Sequence, residues 1–157
     1  MNEQALDQVT ISDLLRLALP LNTTTVGGAE QARRVVEWVV LLTSWDAVEE
    51  QVQLNDLVIV PPTLQTKITE PALKQKLALL AEINVAGLLF FNSVSTAVSE
   101  QVNRFNISLL VVPENTSVRE VNRAMAALLV DRQSATSERG MQLYRTLSEM
   151  SRDDQGL

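Results

Sequence analysis

The sequence contains no cysteine and no histidine. Without cysteine there is no disulfide framework and no thiolate nucleophile. With histidine missing too, His-based triads and the usual Cys/His zinc sites are excluded. Any chemistry would have to run on carboxylates, lysine, serine or threonine. Aromatic residues make up only 4% of the 157, so Leu, Val, Ile and Ala must fill the core. No apolar run approaches the ~20 residues that cross a bilayer. The start, Met1-Asn2-Glu3-Gln4, lacks the basic region and apolar run of a secretory signal. The 13 basic residues are scattered and outnumbered by 19 acidic ones, for a net charge of −6. That is not the clustered positive footprint that nucleic-acid binding requires. These absences predict a cytoplasmic chain with no cofactor, no metal, no membrane contact and no direct contact with nucleic acid.

What is present is a globular composition, 46% hydrophobic and 20% charged, in a chain long enough to bury one core. Thr10 followed by Asp13 is close to a capping box, and Ile11, Leu14, Leu15 and Ala18 fall on one helical face before Pro20. Leu21 to Val26 reads as a short strand closed by Gly27-Gly28. No phosphate-loop spacing follows that pair, so it is a plain turn. Val35 to Leu42 and Leu57 to Val60 are nearly continuous apolar runs, the pattern of strands covered on both faces. A helix competes for the first of them, and its valines favour strand. Trp38 is then expected in the core. Pro61-Pro62 ends the second run.

Thr69-Glu70-Pro71 is a helix start, with Leu73, Leu77, Leu80 and Ala81 as its inner stripe. Val85 to Phe91 is a third buried strand. Val98, Val102 and Phe105 mark a helix, and Asn106 suits its left-handed C-terminal position. Leu109 to Val112 is a fourth strand. Ser117 and Glu120 then open a last helix that carries Val121, Met125, Leu128 and Leu129 inward. Strand and helix alternate, which predicts an α/β fold: a mainly parallel sheet of about four or five strands flanked by helices, with a long C-terminal helix.

Several segments carry family wording. These are Val9-Thr10-Ile11-Ser12-Asp13-Leu14-Leu15, Arg34-Val35-Val36-Glu37-Trp38-Val39, Asn55-Asp56-Leu57-Val58-Ile59, Asn84-Val85-Ala86-Gly87-Leu88, and Leu109 to Pro113 followed by Val118-Arg119-Glu120-Val121. Their order resembles the N-terminal domain of the PucR (purine catabolism regulator) family of bacterial transcription regulators. The resemblance implies a regulatory domain over residues 9–132 and a linker helix and tail over 133–157, leading to a helix-turn-helix domain that this chain does not contain. Where the family commonly has His and Ser on the strand with Trp38, this chain has Val40 and Leu42. Where the family has Thr-Thr-Gly, it has Val60-Pro61-Pro62.

The candidate contact residues for an effector or partner lie near strand ends: Trp45, Asp46, Asp56, Asn92 and Ser93. Capping and solvation would equally explain the acids and the serine. Leu143, Tyr144, Leu147 and Met150 give the last segment an apolar face, read as a linker and homodimer helix. The functional expectation is a sensory domain, not an enzyme, whose small-molecule effector changes domain packing and is transmitted through the C-terminal helix. The alternative is a stand-alone small-molecule-binding module or a small cytoplasmic α/β enzyme. A purely structural dimerisation domain is a third reading.

Overall fold

A computed structural model of the chain describes residues 8–26 and 29–133. Its first helix, α1 (Ile11–Leu17), starts where the capping box is expected. Thr10 Oγ1 accepts from the Asp13 N–H at 3.2 Å, and Asp13 Oδ2 accepts from the Thr10 N–H at 3.0 Å. The reciprocal pair satisfies two of the donors that a helix start leaves open. After β1 (Thr24–Val26) and a short α2 (Ala29–Ala32) come β2 (Trp38–Leu41), a 3₁₀ turn at Trp45–Ala47 and α3 (Val48–Gln51). Next are β3 (Asp56–Ile59), α4 (Pro62–Gln65), α5 (Glu70–Ile83), β4 (Gly87–Phe90), α6 (Thr96–Arg104) and β5 (Ser108–Val111). The final described helix, α7, covers residues 118–133, with Ser117 Oγ accepting from the Glu120 N–H at 3.2 Å.

Five strands form one mixed sheet in the order β1-β5-β4-β3-β2. Strands β2 to β5 run parallel, and β1 lies antiparallel along β5. The chain is therefore an α/β fold, a mainly parallel sheet flanked by helices and followed by a long last helix. Consecutive residues of the central strands point to opposite faces, and both faces are covered, which is why these strands read as unbroken apolar runs. Leu57, Ile59, Leu89 and Leu110 meet α1 and α7 on one face. Val58, Val60, Leu88 and Leu109 meet α3, α5 and α6 on the other.

Gly87 sits in register between Leu57 and Ser108. A Cβ there would lie 2.9 Å from the Ser108 carbonyl oxygen and 3.2 Å from Leu57 Cδ1. The position needs glycine because the Ser108 carbonyl oxygen, a backbone atom fixed by the sheet, occupies that space.

The first apolar run is shorter and more exposed as a strand than its composition predicts. Val35 bridges antiparallel to Thr10, and the Val36 N–H donates to Val9 O at 2.8 Å, so these two residues tie down the α1 entry instead. What remains, β2, is the edge of the sheet. Trp38 is 41% exposed there, not in the core, because no further strand flanks it. Among the described residues, no helix is long and apolar enough to cross a membrane.

Candidate functional site

The C-terminal ends of parallel strands are where an α/β sheet opens to ligands. Three connections converge on this end. After β2, Ser44 Oγ accepts from the Asp46 N–H at 3.2 Å and shapes the turn that buries Trp45. The indole Nε1–H donates to Leu64 O at 2.9 Å, fixing the ring against α4. After β3, Pro61 takes an extended conformation and Pro62 opens α4, since proline ends the ladder but suits a first helical turn.

Gln65, at the end of α4, closes off β4. Its Oε1 accepts from the Phe91 N–H at 2.6 Å and from the Asn92 N–H at 3.3 Å, while its Nε2 donates to Asn92 O at 3.2 Å. One amide side chain thus takes up backbone groups beyond the strand's end. After β4, Ser95 caps α6 by accepting from the Val98 N–H at 3.2 Å, and its hydroxyl donates to Glu70 Oε1 at 2.6 Å. Glu70 stands in the first turn of α5. That bond joins the starts of two helices.

Between these groups lies a cleft of about 170 Å³. Ile68, Leu73, Phe90, Val94 and Val98 form its apolar walls with the Trp45 ring, and Gln65, Glu70, Ser93 and Ser95 supply its polar edge. Among the described residues, no Lys or Arg lines it, and Glu70 is its one carboxylate. The Ser95 proton and one of its lone pairs are committed to Glu70 and to the α6 cap. Acid–base catalysis needs a second positioned group with its own proton to move, and the cleft has none. Among the described residues, no group of three or more His, Cys, Asp or Glu side chains could hold a metal ion.

Of the residues singled out in the sequence, Trp45 and Ser93 line the cleft. Asn92 contributes its backbone to the Gln65 bonds beside it. Asp46 is exposed on the Trp45 turn and does not line the cleft. Asp56 begins β3, at the opposite end of the sheet, where it is buried and accepts from the Gln53 N–H at 2.8 Å. Burial raises its pKa, and the nearby Glu37 charge adds to the rise against the lowering effect of the Gln53 bond. Leu143, Tyr144, Leu147 and Met150 lie outside the described residues. Sequence reasoning missed Gln65 and took Glu70 only as a helix start. Gln65 carried no local signal, because its partner Phe91 lies 26 residues along the chain.

The opposite edge holds a second polar group. Arg34 Nη2 donates to Asn84 O at 2.6 Å, to Asn84 Oδ1 at 3.1 Å and to Asn55 Oδ1 at 3.2 Å. Both asparagines are left-handed, with φ of 69° and 65°. This cluster fastens the entries to β3 and β4.

No protein-family profile and no curated protein matches the chain. The chain is similar in structure to the CBS and DRTGG domains of the regulatory region of Clostridium perfringens pyrophosphatase, solved with its activator, diadenosine tetraphosphate. The TM-score is 0.46 at 15% identity, over 78% of this chain and 49% of the other. The chain thus spans about half the length of that structure.

These findings correct the family reading. No family profile, of a transcription regulator or otherwise, matches the chain. Assignment to a PucR-type regulator, to purine catabolism and to a route toward a helix-turn-helix domain is withdrawn. The physical reason lies at the departures. Leu42 and Val60 are buried in the apolar layer under α3 and α5, and Pro61-Pro62 starts a helix. The ordered apolar segments that suggested the family are those that any sheet covered on both faces would need.

Proposed function

We propose that this chain is a non-catalytic, small-molecule-binding module of regulatory type, with the cleft beyond β3 and β4 as its binding site. The observation that carries the reading is the cleft itself: apolar walls and a polar edge, at the C-terminal ends of the parallel strands. Its volume of about 170 Å³ is near that of an engineered cavity of about 150 Å³ that takes benzene, so the fitting occupant is fragment-sized. An occupant would touch the starts of both α5 and α6, so a packing of these helices that binds it better is favoured when it is bound. Pairing of two copies belongs to the same proposal. It is supported by the apolar spacing of Leu143, Leu147 and Met150, and sedimentation equilibrium tests it.

A fragment screen on the ¹⁵N-labelled chain tests the site. Bound fragments are expected to move the Trp45 indole N–H resonance and leave Trp38, on the distant β2 edge, in place. If no fragment of this size moves Trp45, the cleft is packing and the reading falls.

A further inference from the structure

We infer that the cleft selects small amines over anions, with Glu70 as the residue that determines this specificity. The inference rests on the reading of the cleft as a ligand site and names the class of ligand. The polar groups at the cleft are unevenly committed. The Trp45 N–H is spent on Leu64 O, and both ends of the Gln65 amide are spent on Phe91 and Asn92. At the helix starts, the Ala72 N–H is engaged by Thr69 Oγ1 at 3.4 Å and the Val98 N–H by Ser95.

Glu70 donates nothing. Its Oε1 takes the Ser95 proton, and its Oε2 has no hydrogen bond among the described residues. The cleft therefore presents a full negative charge, and among the described residues no lining Lys or Arg offsets it. The partial positive ends of α5 and α6, roughly half a charge each, weigh the other way. Each is smaller than the full charge on Glu70, which decides at contact. A compact amine could place its ammonium on Glu70 Oε2 and its apolar body between Ile68, Val94 and Val98, against the faces of Trp45 and Phe90.

Three probes of one shape and different charge test this on the whole chain: benzylamine, benzyl alcohol and benzoate, titrated by NMR at the Trp45 indole. Glu70 is exposed, so the expected preference is modest, about three- to fivefold tighter for benzylamine than for the alcohol, with benzoate weakest. In Glu70→Gln the benzylamine-to-alcohol ratio should fall to about one. In Ser95→Ala, which keeps the carboxylate and loses its tether, the preference should persist. Benzoate binding as tightly as benzylamine in the unmodified chain would overturn the inference while leaving the ligand site standing. No binding by any of the three would remove both. The comparison among probes needs no variant to fold.

Discussion

At the scale of single residues, the two polar positions at the strand entries are held by opposite means. Asp56 is a buried carboxylate with one hydrogen-bond donor and an acidic neighbour, Glu37. Because burial, and then Glu37, raise its pKa in the folded chain, the native state binds that proton more tightly than the unfolded state does. Stability from this group is therefore greatest below the ordinary value of 3.8 and falls as pH rises through the elevated native value. Asp56→Asn keeps an acceptor for the Gln53 N–H and removes the charge. It should raise Tm at pH 7, and the gain should vanish as thermal melts are taken down to pH 3.8. A variant that melts lower at pH 7 would mean that the charged form is the favoured one.

Asn84 is the converse case, a residue kept for its backbone. Its φ of 69° is costly for any side chain, by roughly 1–2 kcal/mol in an ordinary L-residue, and asparagine or glycine bears it best. Asn84 also gives Arg34 its carbonyl and its side-chain oxygen. Urea unfolding should rank Asn84→Ala below Asn84→Gly, and both below the parent. The alanine variant should lose about 1–2 kcal/mol, and the glycine variant only what the lost Oδ1 bond contributes. Equal losses would place the effect in the Arg34 bond and not in the backbone.

At the scale of elements, what the sequence discloses is what neighbours along the chain determine. Thr10 with Asp13, Thr69 with Glu70 and Pro71, and Asn106 at a left-handed helix end are all settled within a few residues, and each stands where the pattern puts it. The unbroken apolar runs of β3, β4 and β5 likewise follow from burial on both faces. Periodicity cannot say which strand is outermost, so Trp38 was misplaced in the core. The exposure of β2 and the diversion of Val35 and Val36 to Thr10 and Val9 depend on pairings made across the fold.

The site divides in the same way. Trp45 and Ser93 follow strand ends, and both line the cleft. Asp46 is exposed on the Trp45 turn, and Asp56 begins its strand at the other end of the sheet. Gln65 was illegible because its partner, Phe91, lies 26 residues away. Its role predicts a test. Gln65→Leu fills similar space but strands the Phe91 N–H near the end of β4, where an unmet buried donor costs about 1–3 kcal/mol. Chemical denaturation should show a loss in that range. Hydrogen exchange should quicken at Phe91 and Asn92 before it does so in the middle of β4, and uniform exchange along β4 would argue against a local role.

At the scale of the whole molecule, the sheet is shared property. Leu57 belongs to the layer under α1 and α7, and Val58, the next residue, belongs to the layer under α3, α5 and α6. The same alternation holds at Leu88 and Leu89, and at Leu109 and Leu110. Neither layer can open without stripping one face of the same central strands, so the two should melt as a unit. Leu14 and Leu77 probe them separately, since each is fully buried in a different layer. Leu14→Ala and Leu77→Ala should each cost about 2–5 kcal/mol, from lost transfer energy plus the cavity left behind. In a Trp38→Phe background, Trp45 emission reports on the α3–α5 side alone, while far-UV circular dichroism follows every helix. The two signals should give coincident urea midpoints in both variants, shifted together. If Leu14→Ala melts its helices by circular dichroism before Trp45 emission changes, the layers are separate cooperative units. In that event a ligand bound beside Trp45 would have no route through the sheet to α7, because the strands between them would not be holding both layers in one equilibrium.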